Sequence, residues 1–102
     1  MTCLKDTWEF LYYKTERDEY NILHAIVERH SDNKRHPHAV ILHKPTGIIH
    51  EVSNSFKDNN SLMPFMYWAL LGKVSNIKQY TFKEYNDLLI QHKRWEFFHL
   101  DL

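Results

Sequence analysis

The sequence is poor in the residues that cross-link or interrupt a chain, with one cysteine, two glycines and three prolines in 102 residues. A single cysteine cannot form an internal disulfide. Small secreted domains usually need several, so Cys3 favours a reducing compartment. No run rich in glycine, serine or proline occurs, which argues against a disordered chain or a repeat array. We therefore expect a folded protein of the cytoplasmic type.

The chain also has no excess of charge of either sign, because it contains 13 basic and 13 acidic side chains. The densest basic stretch, residues 34–36 with His38, is too short to hold a polyanion. The longest apolar run, residues 62–71, contains Pro64 and has about half the length of a membrane span. The first six residues lack the basic-then-apolar pattern of a secretory signal. We expect no nucleic acid and no membrane as partners.

The chain is rich in apolar residues, with 43% hydrophobic and 15% aromatic residues. A chain of this length can bury roughly two-thirds of its unfolded surface, which is enough for one core. One domain over residues 1–102 is therefore the expected organisation.

The first half of the chain shows one helical and one strand-like pattern. Leu4, Trp8, Leu11 and Tyr12 form one apolar face at helical spacing, which predicts a helix over residues 4–14 with Trp8 and Leu11 in the core. Residues 20–30 are rich in β-branched and aromatic side chains, which favours a strand.

A hairpin is predicted next, with strands at 38–43 and 48–53 around the turn Lys44-Pro45-Thr46-Gly47. If Lys44 faces Gly47, then Leu42 pairs with Ile49 and Val40 with Glu51. Alternation along the strands then places His38 on the face of Val40 and Leu42, diagonally next to Glu51.

Two helices and a strand complete the prediction. Pro64 is expected to open a helix and Gly72 to close it. Thr81 and Glu84 have the spacing of a capping box before a helix at 82–92. The aromatic tail at 95–100, Trp95-Glu96-Phe97-Phe98-His99-Leu100, predicts a C-terminal strand. The fold class is α+β, with an N-terminal helix packed on a small antiparallel sheet.

Three residues form a candidate catalytic set: Cys3, His38 and Glu51. A thiol at a helix N-terminus next to an imidazole becomes a better nucleophile, because both features favour the thiolate. The imidazole needs a third group to orient it, and the predicted hairpin offers Glu51.

The pattern resembles the papain-like cysteine enzymes of the transglutaminase-like type and their small bacterial and phage relatives. The similar segments are CLKDTWEF at 3–10, the strand at 20–27, HAVI at 38–41 and GIIHE at 47–51. The resemblance covers roughly residues 3–54. It implies acyl transfer on an amide bond, by peptide or isopeptide hydrolysis or transamidation. Cys3 would be the nucleophile, His38 the base and Glu51 the orienting acid.

The chain departs from that pattern in two ways. The acid is Glu51, where such enzymes more often have Asp. Only two residues precede Cys3, so an oxyanion hole is expected to combine the Cys3 N–H with Asn54 or His24. No cofactor is expected. Eight histidines raise the question of zinc, but no metal-ligand spacing is present, so no metal is expected.

The alternative is a non-catalytic protein-binding module, such as a small phage-encoded inhibitor of a host enzyme. The 15% of aromatic residues exceeds what so small a core needs, and exposed aromatic side chains dominate protein interfaces. Tyr67 and Phe97 are the expected contact residues. On either hypothesis the partner is a protein or peptide.

Overall fold

The computed structural model describes residues 2–28, 32–52, 62–71 and 73–100. The chain forms three α-helices, one short 3₁₀ turn and five strands in these residues. In chain order they are α1 (Thr2–Tyr12), the 3₁₀ turn (Arg17–Glu19), β1 (Tyr20–Glu28), β2 (Arg35–His43), β3 (Ile48–His50), β4 (Leu62–Pro64), α2 (Phe65–Leu71), β5 (Val74–Tyr80) and α3 (Phe82–His92). The predicted α+β class, with an N-terminal helix and a small antiparallel sheet, is confirmed.

The five strands form one antiparallel sheet in the order β4-β3-β2-β1-β5. The long central pair, β1 and β2, runs in unbroken register from Tyr20 opposite His43 to Glu28 opposite Arg35. The strand expected at residues 20–30 is therefore confirmed as β1, and residues 29 and 30 lie outside the described part of the chain.

The predicted hairpin register is confirmed, with Leu42 opposite Ile49. Gly47 has φ 69° and its N–H donates to the carbonyl of His43 at 2.8 Å, a left-handed turn position that favours glycine. The strand bounds differ from the prediction. β2 begins at Arg35 because its first residues pair with β1, and β3 ends at His50 rather than at 53.

Helix α1 begins at Thr2, two residues earlier than predicted, and ends at Tyr12. Leu11 is fully buried, as expected. Trp8 is only partly buried, and its indole Nε1 donates to Oδ1 of Asn86 on α3 at 3.1 Å. Trp8 therefore links two helices at the margin of the core.

The predicted helix at 82–92 and its capping box are confirmed. The Thr81 hydroxyl accepts from the Glu84 N–H at 3.1 Å, and the Glu84 carboxylate accepts from the Thr81 N–H at 2.8 Å. Pro64 is the last residue of β4, directly before α2. Gly72, expected to close α2, lies outside the described residues.

Side chains on the two sheet faces belong to two separate cores. One face packs under α1 and α3, and its buried members include Cys3, Leu11, Ile22, Ala39 and Ile41. The other face packs under α2, and its buried members include Leu23, Ala25, Val40, Ile49 and Trp68. Consecutive β2 residues alternate between the two layers, as a pleated strand requires.

The predicted C-terminal strand at 95–100 is wrong. After Lys93, which has φ 57°, the chain turns back across α3, where Phe97 is buried and the Tyr85 hydroxyl donates to the Glu96 carbonyl at 2.9 Å. The sheet position next to β1 belongs instead to β5, which the sequence patterns did not reveal. The apolar side chains of the tail pack instead in the core layer under α1 and α3.

Among the described helices, none has the length and apolar character needed to cross a membrane.

Candidate functional site

Cys3 lies in the first turn of α1, with its side chain directed into the core. It is only 6% exposed. The hydroxyl of Thr7, which is fully buried, donates to the Cys3 carbonyl at 3.0 Å and also to the Leu4 carbonyl at 3.0 Å. These bonds fix the turn of backbone that carries the thiol.

His38 lies in β2 opposite Ala25 of β1. Its Nε2 is 2.6 Å from Oε1 of Glu51, which follows the end of β3. The His38 side chain is 17% exposed and the Glu51 side chain 7%. The diagonal contact predicted from the hairpin register is therefore present, and it is largely shielded from water.

The pKa of His38 is raised from 6.5 to about 9 by its surroundings. Burial is the largest single effect and acts in the opposite direction, since it disfavours the charged ring. Hydrogen bonds to the side chains of Cys3 and Glu51, together with attraction to their negative charges, outweigh burial. Both other members of the set therefore raise the pKa of His38, which favours the imidazolium at neutral pH.

By strand alternation, His38 and Cys3 are expected on opposite faces of the sheet. Alternation places His38 on the face of Val40, whereas Cys3 packs with Ala39 and Ile41 on the other face. The pairing of β3 with β2 covers only residues 41–43. Among the described strands, none pairs with β2 beside His38 on that side.

Asn54 and His24 are the two alternatives expected to complete an oxyanion hole. Asn54 lies outside the described residues. His24 is fully buried on β1, with its ring 4.8–5.2 Å from the rings of Tyr80, Tyr85 and Phe97. Because aromatic rings enclose it, His24 cannot donate to a substrate, and that expectation is wrong.

His24 is nevertheless the most unusual polar group in the described core. Neither ring nitrogen has a hydrogen-bond partner. Burial first, and the positive charges of His99 and His38 second, lower its pKa from 6.5 to about 3. It is therefore neutral at pH 7. The only sequence signal was its position within the apolar run at 22–27, which favours a buried strand and not an exposed ring.

The remaining histidines are spread over the fold. Within the described residues, no group of three or more His, Cys, Asp or Glu side chains is placed to hold a metal ion. His43 contacts Thr46 at 2.7 Å and lies 3.8 Å from a Glu19 carboxylate oxygen. The Nε2–H of His99 donates to the Asn76 carbonyl at 2.6 Å, because a carbonyl oxygen only accepts.

The chemistry open to the set follows from these contacts. An imidazolium beside a sulfur atom favours the thiolate form of the sulfur, and a carboxylate on the opposite side fixes the ring and its proton. Such a set can supply a nucleophile, an acid–base group and an orienting group. Comparison with protein-family models, curated protein sequences and solved structures gave no match to the chain.

Proposed function

We propose that the protein is a cysteine-dependent enzyme that transfers an acyl group from an amide bond through Cys3, His38 and Glu51. The observation that carries this proposal is the 2.6 Å contact between His38 Nε2 and Glu51, made by a ring whose pKa the Cys3 side chain also raises. Three residues from α1, β2 and the chain after β3 thus meet at one point, in the order that a thiol enzyme requires.

The first half of the reaction makes a thioester. The Cys3 thiolate attacks the amide carbonyl carbon, and the carbonyl oxygen takes the displaced electron pair as an oxyanion. With Nε2 engaged by Glu51, Nδ1 of His38 is the nitrogen that gives its proton to the leaving amine. The carbon–nitrogen bond then breaks, the amine departs and the acyl group stays on sulfur.

The second half removes the acyl group. Water, or an amine in a transamidation, attacks the thioester while neutral His38 accepts the proton of the attacking group. The carbon–sulfur bond breaks and the thiolate–imidazolium pair is restored. Glu51 stabilises the imidazolium and fixes the orientation of the ring throughout, without itself being protonated.

The low exposure of Cys3 (6%) sets one requirement on this mechanism. The sulfur must become accessible when the substrate binds, so that reacting atoms approach to about 3–3.5 Å. A small activated acyl donor is therefore the best first probe, because it needs less space than a peptide.

The test uses p-nitrophenyl acetate with the full chain. Wild-type protein should form an acetyl thioester on Cys3, detected by intact-mass and peptide mass spectrometry, and should then release acetate. Cys3→Ser should form no thioester, and Glu51→Gln should form it more slowly. Acetylation of lysine side chains with Cys3 left unmodified would exclude Cys3 as the nucleophile.

A second candidate function, the protein-binding module, is favoured by exposed apolar side chains of β4 and α2. Leu62, Met66, Tyr67 and Leu70 are 56–68% exposed although all four are large and apolar. Adjacent exposed residues of this kind are typical of interaction sites. Phe97, the other expected contact residue, is 3% exposed and belongs to the core.

Photo-crosslinking distinguishes the protein-binding function from the enzymatic function. A photoreactive phenylalanine analogue at position 67 should capture one partner from cells on the binding hypothesis. The same analogue at Tyr13, which is 79% exposed and lies next to α1, serves as the control and should capture none. Equal, unspecific labelling from both positions would remove the support for this second candidate.

A further inference from the structure

A cleft separate from the Cys3 site lies between the 3₁₀ turn Arg17–Glu19, the turn after β2 and the start of α3. Its volume is about 530 Å³, and its lining includes Arg17, Asp18, Lys44, Lys83 and Asn86. Cavities of roughly 300–1,000 Å³ hold small molecules in proteins. None of Cys3, His38 and Glu51 lines this cleft, so it is independent of the proposed catalytic set.

The charges of the cleft lining are unbalanced. Three cationic side chains, Arg17, Lys44 and Lys83, line it together with one carboxylate, that of Asp18. This excess occurs in a chain whose formal net charge is zero. Lys83 also pairs with Asp87 at 2.8 Å, but both side chains of that pair are well exposed, and such pairs are weak. The lining therefore favours an anionic ligand.

Arg17 is held in place before any ligand arrives. Its guanidinium carbon lies 4.7 Å from the centre of the Phe82 ring, in a cation–π contact. Its Nη2 donates to the Tyr12 carbonyl at 3.0 Å and its Nε to the Lys14 carbonyl at 3.4 Å. A guanidinium has five N–H groups, so donors remain for an anion at little cost in side-chain entropy.

Asn86 supplies a further donor to the lining. Its Oδ1 accepts from the Trp8 indole at 3.1 Å. The amide oxygen is thus engaged by Trp8, and the NH₂ group of the same side chain is the potential donor. The N-terminus of α3 is not the source of attraction, because Thr81 and Glu84 already cap it reciprocally. The potential donors are side chains, which can be tested one at a time.

We infer that this cleft binds a small phosphate-bearing molecule. A guanidinium matches the geometry of phosphate oxygens bidentately, and lysine ammonium groups add charge from further directions. The cleft lies between turns of the chain and is bounded by the rings of Tyr20 and Phe82. Such a recess suits a soluble phosphate compound better than a membrane headgroup.

Calorimetric titration with inorganic pyrophosphate tests this inference on the full chain. We expect binding that weakens as salt is added, since screening reduces attraction between charges. Lys44→Ala and Arg17→Lys should each lower the affinity about tenfold, as expected for one charge-assisted hydrogen bond. Lys5→Ala is the matched control, because Lys5 is an exposed α1 lysine whose side chain is 61% accessible, and it should leave the affinity unchanged.

The location of binding is read from the indole N–H signal of Trp8, which is bonded to Asn86 and should shift during titration. Lys44 lies in an exposed turn, so its alanine variant is expected to fold even if Arg17→Lys does not. Absence of pyrophosphate binding, or equal affinity in Lys44→Ala and Lys5→Ala, would overturn the inference. So would binding only to vesicles that contain phosphatidic acid.

Discussion

Nε2 of His38 and Oε1 of Glu51 lie 2.6 Å apart although 13 positions separate the two residues in the chain. The Cys3 side chain acts on the same imidazole and helps to raise its pKa. One ring thus connects α1 to β2 and to the segment after β3. Because the three side chains share one ring, the effects of their substitution should not add, and a double variant should cost less than the sum of the singles.

The His38 pKa predicts how stability changes on the alkaline side. The pKa is raised from 6.5 to about 9 in the folded state, so this contribution to stability is complete below pH 6.5 and is lost as pH rises through 9. The change corresponds to roughly 3 kcal/mol. Urea unfolding between pH 6 and pH 9 should show this loss in wild type and not in His38→Gln. Parallel pH profiles of the two proteins would mean that the ring is not held as an imidazolium.

The His24 pKa predicts a change on the acid side. Burial lowers this pKa from 6.5 to about 3, so the unfolded chain takes up a proton that the folded chain resists. Stability is therefore complete above pH 6.5 and falls as pH decreases toward 3, by roughly 4 kcal/mol in all. His24→Leu removes the titrating group, so its stability should fall less steeply over this range. The difference between the two curves is the measurement, because acidic side chains titrate in both proteins alike.

The capping box of α3 predicts a local effect on stability. Thr81→Ala removes the acceptor of the Glu84 N–H and should lower the free energy of unfolding by about 1 kcal/mol. Thr81→Ser keeps an acceptor oxygen and is the matched control, with an expected change close to zero. Equal losses in the two variants, measured by urea denaturation, would assign the effect to packing of the threonine methyl group.

The sequence predicted those features that short-range chemistry determines. The turn ending in Gly47 fixed the hairpin register, and through it the proximity of His38 to Glu51. The Thr81–Glu84 pair fixed the start of α3. In each case the residues that decide the structure are close together in the chain.

Features that depend on distant packing were not predictable in this way. β5 is an edge strand with mostly exposed residues and a left-handed Asn76 (φ 54°), so it shows no apolar alternation. The tail is rich in aromatic residues, but Phe97 packs against the α1 and α3 layer and not in the sheet. The effect of Cys3 on His38 joins α1 to β2, two elements that are distant in the chain, so only the folded arrangement determines it.

The central claim is that His38 activates Cys3, and the rate of Cys3 alkylation by iodoacetamide at pH 6 tests it most directly. Only the thiolate reacts, so wild-type protein should be alkylated faster than the unfolded chain at the same pH, in which the cysteine has its ordinary pKa of about 8.5. His38→Gln should react at least tenfold more slowly than wild type, and Glu51→Gln should lie between them, because an orienting group contributes less than the group it holds. Circular dichroism would establish that both variants are folded. Wild-type alkylation no faster than that of the unfolded chain, or no slower in folded His38→Gln, would contradict the claim.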